Sequence, residues 1–185
     1  MSLAEKPRGR FLSEIEYLDF ELVSTMRHEY VDGVVYAKTG ASVGHNSIVG
    51  AIYFQLRSQL RAPCKAHMTD VKLRIQRKAS IKFYYPDLMV ACSPQDNAEY
   101  WKTMPTLLVE VLSPRTERID RGEKLTAYTQ IPTLQAYLIV AQEVPRIDAY
   151  LRNVDDWEHR LFGAGQTMHL AEGELSLNVD AIYAD

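Results

Sequence analysis

Apolar side chains recur at helical spacing in two stretches near the start of the chain. In the first stretch Ser13 and Glu16 have the spacing of a capping box, which predicts a helix from about Glu14 to Val23. In the second, residues 46–61 carry apolar side chains on one helical face and polar side chains on the other, which predicts an amphipathic helix. The first helix is expected to dock through three apolar residues: Ile15, Leu18 and Leu22.

Strand patterns lie between and after these helices. The dipeptide Asp32-Gly33 separates two β-favouring runs and predicts a tight hairpin. Residues 70–76 alternate apolar and polar side chains, as a strand with one buried face does. The runs at 88–92 and 107–112 are continuously apolar, which is typical of central strands covered on both faces. We expect these two runs to form the middle of a sheet.

The second half of the chain continues this alternation of helix and strand. A helix from about residue 117 to residue 130 is predicted after Pro114, with Thr116 as a candidate cap. A buried strand at 134–140 follows, and short alternating segments between 146 and 177 indicate an antiparallel extension. The expected fold class is α/β, with a mixed central β-sheet flanked by helices and antiparallel C-terminal strands.

Length and composition are those of a soluble globular protein. The chain has 185 residues, of which 46% are hydrophobic and 24% charged, so one domain with a buried core is expected. We assign this domain to residues 13–185, behind an N-terminal tail at 1–12 whose first three residues resemble a cloning remnant. No apolar run approaches the roughly 20 residues of a membrane span, and the start of the chain lacks the apolar stretch of a signal peptide.

Net charge and cysteine content bear on the binding partners and the cellular compartment of the protein. The formal net charge of −3 gives no global attraction to a polyanion. The basic runs at 72–82 and 115–124 are either solvated surface or local contact sites. Cys64 and Cys92 lack metal-type spacing and are predicted to be isolated, buried thiols, which favours a reducing compartment and therefore the cytoplasm.

Two carboxylates stand where apolar side chains are expected. Glu110 lies within an apolar strand and Asp87 at the mouth of another, and burying an unpaired charge costs several kcal/mol. Each must therefore reach a cleft, meet a cation or take a proton. Together they would form an oxygen-rich site for Mg²⁺ or Mn²⁺, of the kind that hydrolyses phosphodiesters. The alternative is that Asp87 is a turn residue and Glu110 pairs with an arginine.

Other chemistries find less support in the sequence. His45 precedes the long helix and is placed to approach a phosphate or a metal-bound water, although a capping or exposed histidine is an equal alternative. The remaining histidines lack zinc-site spacing. No glycine-rich phosphate loop and no serine nucleophile motif is present, which disfavours nucleotide-binding folds and nucleophilic hydrolases.

The same residues carry a family resemblance that extends from about residue 13 to residue 155. The chain resembles the Uma-two family of restriction-endonuclease-like proteins, within the PD-(D/E)XK nuclease superfamily. Four blocks carry most of it: Tyr-Pro-Asp-Leu-Met-Val (85–90), Pro-Thr-Leu-Leu-Val-Glu-Val-Leu-Ser-Pro (105–114), Asp120 with Lys124 and Tyr128, and Ala-Tyr-Leu-Ile-Val (136–140). The resemblance implies a restriction-endonuclease-like core and a metal held by Asp87, Glu110 and the backbone carbonyl of Val111. It also implies that Glu29 is an additional acidic residue of the site.

One position departs from the superfamily pattern. In that pattern a lysine stands two residues after the glutamate and shares its strand face, but here Leu112 occupies the position. The substitute suggested by the resemblance is Lys124, which reaches the site from the following helix. The alternative for Lys124 is an ordinary surface pair with Asp120.

These observations predict an Mg²⁺- or Mn²⁺-dependent endonuclease acting on DNA. Asp87 and Glu110 would be ligands, Lys124 would position the water, and Glu29 and His45 would support them. A nuclease-like fold that binds nucleic acid or protein without turnover is the alternative, and a scaffold with a salt-bridged core is a third. By analogy with other nucleases, a homodimer is expected through the exposed Tyr100-Trp101 and the final strands.

Overall fold

The computed structural model describes residues 11–154, 156–170 and 174–184. Most of the predicted tail, residues 1–10, lies outside them. The elements in chain order are α1 (Glu14–Val23), β1 (His28–Val31), β2 (Val34–Ala37), α2 (Val43–Gln59), β3 (Lys65–Met68), β4 (Lys72–Arg77), β5 (Ser80–Tyr84), β6 (Leu88–Ala91), β7 (Trp101–Lys102), β8 (Pro105–Val111), α3 (Glu117–Ile119), a π-helical turn (Asp120–Lys124), α4 (Leu125–Tyr128), β9 (Ala136–Val140), β10 (Arg146–Arg152), β11 (Trp157–Gly163), β12 (Thr167–Leu170), β13 (Leu175–Asn178) and α5 (Val179–Tyr183).

The predicted mixed central sheet is six-stranded, and a second, five-stranded sheet and a separate hairpin form in addition to it. The six-stranded sheet has the order β11-β10-β9-β8-β6-β3, with β8 and β9 parallel and the other pairs antiparallel. The five-stranded sheet has the order β2-β1-β5-β4-β7. Strands β12 and β13 pair separately, as the predicted antiparallel C-terminal strands. The apolar runs expected at the centre are β6 and β8, which are neighbours in the six-stranded sheet.

Three apolar clusters hold these layers together. The first lies between one face of the six-stranded sheet and the buried side of α2, with β12, β13 and α5 closing it. The second lies on the opposite sheet face, beneath α4 and the inner side of β4 and β5. The third packs α1 onto the outer side of the five-stranded sheet through Tyr17, Tyr30 and Phe83. The six-stranded sheet is therefore covered on both faces, which explains why its central strands are mostly apolar, with Glu110 as the charged exception in β8.

Helix α2 follows its predicted face, but α1 does not. Residues on the predicted apolar side of α2, such as Ile52 and Leu56, are fully buried. Of the predicted docking face of α1, Leu18 packs against the third cluster, but the prediction is wrong for Ile15 and Leu22, which are 72% and 68% exposed. Helix α1 instead packs through its buried Tyr17 and Glu21. Tyrosine and glutamate are less hydrophobic than leucine and isoleucine. The spacing of hydrophobic residues therefore predicted that a different side of α1 is buried.

The prediction of isolated thiols is also wrong. Cys64 and Cys92 are joined in a disulfide, 28 residues apart in the chain. Strand β3 pairs with β6, so Lys65 faces Ala91 and the two cysteines just beyond this pair meet. Spacing along the chain did not reveal the contact because antiparallel pairing creates it. Because the two cysteines are oxidised to a disulfide, they do not indicate a reducing compartment.

The helical segment after β8 departs from a regular α-helix. Residues 117–128 are helical, but a π-helical turn separates α3 from α4. The Thr116 side chain makes no capping hydrogen bond; its hydroxyl lies 3.1 Å from that of Ser113 instead. π-Helical turns are rare and occur frequently at functional sites. None of the helices in the described residues is long and apolar enough to cross a membrane.

Candidate active site

Strand pairing brings the two predicted carboxylates face to face. In the antiparallel β6–β8 pair, Leu88 lies opposite Val109, so the next positions outward are Asp87 and Glu110. Opposed residues of paired strands project from the same sheet face. That face is the one covered by the second cluster, because Met89 and Leu108 belong to it. Both carboxylates are buried, with 5% and 3% of their surface exposed.

Asp87 is held as an anion by three donors. Its Oδ2 accepts a hydrogen bond from the backbone N–H of Val111 at 2.9 Å and lies 3.1 Å from Nε2 of His45. Its Oδ1 lies 3.3 Å from Nζ of Lys38. Burial raises the pKa of Asp87, but the hydrogen bond from His45 and the charge of Lys38 outweigh burial and lower this pKa to about 2.

Glu110 has the opposite electrostatic environment. Its Oε1 accepts hydrogen bonds from Nζ of Lys124 at 2.9 Å and from the hydroxyl of Tyr128 at 2.8 Å. Burial raises the pKa of Glu110 to about 8, and the negative charges of Asp120 and Asp87 act in the same direction. Lys124 opposes this shift without cancelling it. Near neutral pH Glu110 therefore retains a proton that an exposed glutamate would have lost.

Lys124 connects three carboxylates at the floor of the site. Its Nζ lies 2.9 Å from Glu110, 3.3 Å from Glu29 and 3.3 Å from Asp120. Burial on its own would lower the pKa of Lys124, but the charges of Glu110 and Glu29 outweigh it and raise this pKa. Tyr85 contributes a further donor, because its backbone N–H bonds to Glu29 at 3.2 Å.

All five side chains predicted for the site lie in this one cluster, which we call the carboxylate site: Asp87, Glu110, Lys124, Glu29 and His45. The backbone N–H of Val111 also belongs to the site, because it donates to Asp87. The role of the Val111 carbonyl as a metal ligand stays a prediction. Lys38 is a member that the sequence did not reveal. A lysine one position beyond a hairpin strand has no periodic signature, and only the pairing of β1 with β5 carries it to Asp87.

The donor set of the carboxylate site fits a hard divalent cation. Over residues 11–154, 156–170 and 174–184, no three histidine, cysteine, aspartate or glutamate side chains form a group that could hold a metal. Mg²⁺ needs fewer protein ligands, since it is commonly bound through one or two carboxylates and keeps several waters. Asp87 and Glu110 provide such a pair.

The charge balance of the carboxylate site also favours a bound divalent cation. Four carboxylates, those of Asp87, Glu110, Glu29 and Asp120, share two lysines and a histidine. The Oδ1 atom of Asp120 is buried and accepts no hydrogen bond, although Lys124 is near it. Without a cation the proton on Glu110 offsets this surplus of carboxylates, and a bound divalent cation would take the place of that proton.

The comparison with known proteins agrees with the geometry. Residues 15–180 match the Uma2 family, which is described as "Putative restriction endonuclease". The chain belongs to this family. Two Synechocystis sp. relatives are similar to it under the names "Uncharacterized protein slr1290" and "Uncharacterized protein sll1609". The first is 37% identical over 186 residues, which covers 98% of this chain and 97% of the relative. The second is 32% identical over 145 residues, which covers 76% and 81%.

A solved structure has the same fold as this Uma2 chain. It is the crystal structure of a "putative nuclease belonging to DUF820" from Anabaena variabilis ATCC 29413. The TM-score is 0.73, with 93% of this chain and 97% of the other covered, at 16% sequence identity. At this identity the likeness shows the fold alone. The predicted α/β, restriction-endonuclease-like architecture is confirmed.

Proposed function

We propose that the protein is a metal-dependent endonuclease that hydrolyses phosphodiester bonds of DNA, with Mg²⁺ or Mn²⁺ as its cofactor. The observation that carries this proposal is the facing pair Asp87 and Glu110, buried on adjacent strands with a surplus of negative charge around them. Membership of the Uma2 family supports the same reaction class. Burial of two carboxylates is costly, so a fold without a use for them is expected to place apolar residues there.

Each side chain of the carboxylate site has a proposed role. Asp87, Glu110 and the carbonyl of Val111 would hold the cation, which supplies a polarised phosphate and a bound water of lowered pKa. Lys124 would orient the attacking water beside Glu110. Glu29 holds Lys124 in position through their ion pair, and His45 holds Asp87 through its Nε2.

DNA is the proposed substrate because basic side chains lie next to the site. An open groove of about 650 Å³ runs between the β4–β5 hairpin and the helical segment 122–130. Arg77, Lys78 and Lys82 line it, together with one acidic residue, Glu123. The hydroxyl of Tyr84 donates to Glu123, and the Tyr84 ring lies beneath Lys124, so the groove adjoins the carboxylate site. Lysine and arginine contacts to phosphates supply most non-specific affinity for DNA.

A homodimer remains part of the proposal, with a smaller surface than the sequence indicated. Tyr100 is 51% exposed. Trp101 is only partly exposed, because its ring packs edge-on against Phe83. Tyr100 is therefore the aromatic side chain available for contact in this segment.

A second candidate function has an observation in its favour. Leu112, at the position of the superfamily lysine, is buried in the second cluster, and both carboxylates already have cationic partners. These features suit a nuclease-like fold that binds nucleic acid without cutting it.

Plasmid nicking separates the two candidates. We expect the wild type to nick supercoiled plasmid with Mg²⁺ or Mn²⁺ and to lose this activity in EDTA. Asp87→Asn and Glu110→Gln should each lower the rate by on the order of 100-fold or more, because an amide cannot provide the carboxylate ligand that a bound cation would require. Asp70→Asn is the matched control, since Asp70 is an exposed surface carboxylate. Equal rates for the wild type and both site variants would contradict catalysis and favour the binding protein.

A further inference from the structure

Two lysines flank the two carboxylates, and they differ in their access to solvent. The side chain of Lys124 beside Glu110 is 6% exposed. The side chain of Lys38 beside Asp87 is 28% exposed. The Asp87, Glu110 and His45 side chains are 7%, 4% and 10% exposed. Lys38 is therefore the most exposed charged side chain of the carboxylate site.

The two lysines also differ in what surrounds them. Nζ of Lys124 donates to Glu110 and has Glu29 and Asp120 at 3.3 Å, so three carboxylates enclose it. A protonated lysine has three donors. Lys38 has two acceptors among the described residues, the carbonyl of Tyr85 at 2.8 Å and Oδ1 of Asp87 at 3.3 Å. One N–H of Lys38 remains for an acceptor from outside the protein.

The position of Lys38 is well supported by the backbone. Its own N–H donates to the carbonyl of Arg27 at 2.8 Å, which extends the β1–β2 hairpin by one more bond. At the end of the side chain, Nζ donates to the carbonyl of Tyr85, which stands two residues before Asp87 in the chain. This bond holds the ammonium group close to Asp87. An ammonium group that is fixed before substrate arrives loses little entropy on contact, which is the basis of electrostatic preorganisation.

We propose that Lys38 is a catalytic residue that donates a hydrogen bond from Nζ to a non-bridging oxygen of the scissile phosphate. The inference rests on the proposed nuclease function and assigns the phosphate contact to Lys38, the more exposed of the two lysines, while Lys124 keeps its proposed role beside the attacking water. Lys38 donates a hydrogen bond and transfers no proton in this step. The bond from water oxygen to phosphorus forms and a phosphorus–oxygen ester bond breaks. The leaving sugar oxygen takes the electron pair of the broken bond and is protonated by the proton that the water loses, while Nζ stabilises the charge that develops on the phosphate.

The test compares Lys38→Met, which keeps the length of the stem, with Lys65→Met as a control of equal charge change. Lys65 is exposed and faces Ala91, at the far end of β6 from Asp87. Single-turnover cleavage of a labelled DNA duplex is measured in Mg²⁺. Binding of the same duplex is measured by fluorescence anisotropy in Ca²⁺ at several salt concentrations.

We expect Lys38→Met to lower the cleavage rate by about 10- to 100-fold. The slope of log affinity against log salt should also fall by about one, because one phosphate contact is lost. Lys65→Met should leave the rate unchanged. If urea unfolding shows that Lys38→Met folds poorly, Lys38→Gln carries the same prediction, because its uncharged and shorter amide offers the phosphate neither the charge nor the reach of the ammonium.

The outcomes separate this inference from the proposed function. A wild type that cuts, with Lys38→Met cutting as fast as Lys65→Met, overturns the role of Lys38 and leaves the nuclease intact. A wild type that binds the duplex and never cuts it overturns the nuclease and the catalytic role of Lys38 together. Loss of cleavage with a reduced salt slope in the Lys38 variants alone supports the inference.

Discussion

Asp87 and Glu110 face each other on one sheet face, yet their carboxyl groups titrate far apart. Asp87 receives a backbone N–H, a histidine and a lysine, so its pKa falls to about 2. Glu110 is more deeply buried beside two further negative charges, so its pKa rises to about 8. The environment separates the pKa values of two similar carboxyl groups when one of them has more donors and cations around it than the other.

The raised pKa of Glu110 predicts how stability changes with pH in the absence of metal. The folded protein holds a proton on Glu110 up to about pH 8, whereas the unfolded chain releases it near the ordinary value of 4.5. The free energy of unfolding should therefore fall as pH rises through this interval. Asp87 has the opposite sign, since its lowered pKa contributes stability above 3.8 that is lost only as pH falls towards 2.

Urea unfolding in EDTA at pH 5 and pH 8.5 measures this effect. We expect the wild type to lose about 2–4 kcal/mol between the two values, given about 1.4 kcal/mol for each unit of pKa. Glu110→Gln should remove most of the dependence, because the amide does not titrate. Glu143→Gln changes an exposed glutamate and is the control. Parallel curves for the wild type and Glu110→Gln would contradict the raised pKa.

At the scale of elements, the β1–β2 hairpin carries one site residue and leads to another. Glu29 lies on β1, and Lys38 follows β2 directly. The turn needs positive φ at Asp32 (+48°) and Gly33 (+96°), as a two-residue hairpin with this sequence does. The Asp32 carboxylate also accepts hydrogen bonds from the N–H of Ile81 and the hydroxyl of Ser80, which ties the turn to β5.

Two glycine substitutions of opposite expected sign test this local account. Gly33→Ala should lower the free energy of unfolding by about 1–2 kcal/mol, because alanine at φ +96° is strained and its Cβ would lie 2.7 Å from the Phe11 ring. Gly50→Ala, inside α2 with no atom within 4 Å of the added Cβ, should raise it by about 0.5–1 kcal/mol. Urea unfolding compares both with the wild type. A loss for Gly50→Ala equal to that for Gly33→Ala would contradict the assignment of strain to the turn.

The elements differ in how well local pattern predicts them. Helix α2 and strands β6 and β8 follow their predicted ranges closely, because a 17-residue amphipathic helix and two continuous apolar runs give strong periodic signals. The bounds of α1 are correct because its capping box is local. Its docking side is correct only at Leu18, since the partner surface includes Phe83, which comes from β5 far along the chain.

At the scale of the whole molecule, the disulfide ties the segment after α2 to the end of β6. It closes a separation of 28 residues, and constraint of the unfolded chain over such a loop contributes about 3–4 kcal/mol in the loop-entropy description. We expect the double variant Cys64→Ser/Cys92→Ser to lower the free energy of unfolding by up to this amount under non-reducing conditions. Under reducing conditions the wild type should move towards the variant.

A thiol assay on the unfolded protein provides the control. Without reductant the wild type should show no reactive thiol, because the two cysteines of the sequence pair with each other. Two reactive thiols per chain before reduction, with equal stability of the wild type and the double variant, would contradict the bond.

The arrangement of the sheets is the other property of the whole molecule that pattern alone missed. One mixed sheet was expected, and two large sheets form, facing each other across the second cluster. The alternation of apolar and polar residues in strands such as β4 and β5 shows that one face of the strand is buried. It does not show which sheet the strand joins. Hydrogen bonding between strands is satisfied equally well in either sheet, so long-range side-chain packing makes the choice.

The sequence by itself determined the elements with strong local signals, and it singled out Asp87 and Glu110. A carboxylate within an apolar strand requires a partner wherever that strand is placed, because its desolvation cost does not depend on topology. Only the tertiary structure decided which partners these are. Lys38, the three contacts of Lys124 and the Cys64–Cys92 bond arise from pairings across long stretches of chain. Such contacts depend on strand register and sheet order, which local periodicity does not encode.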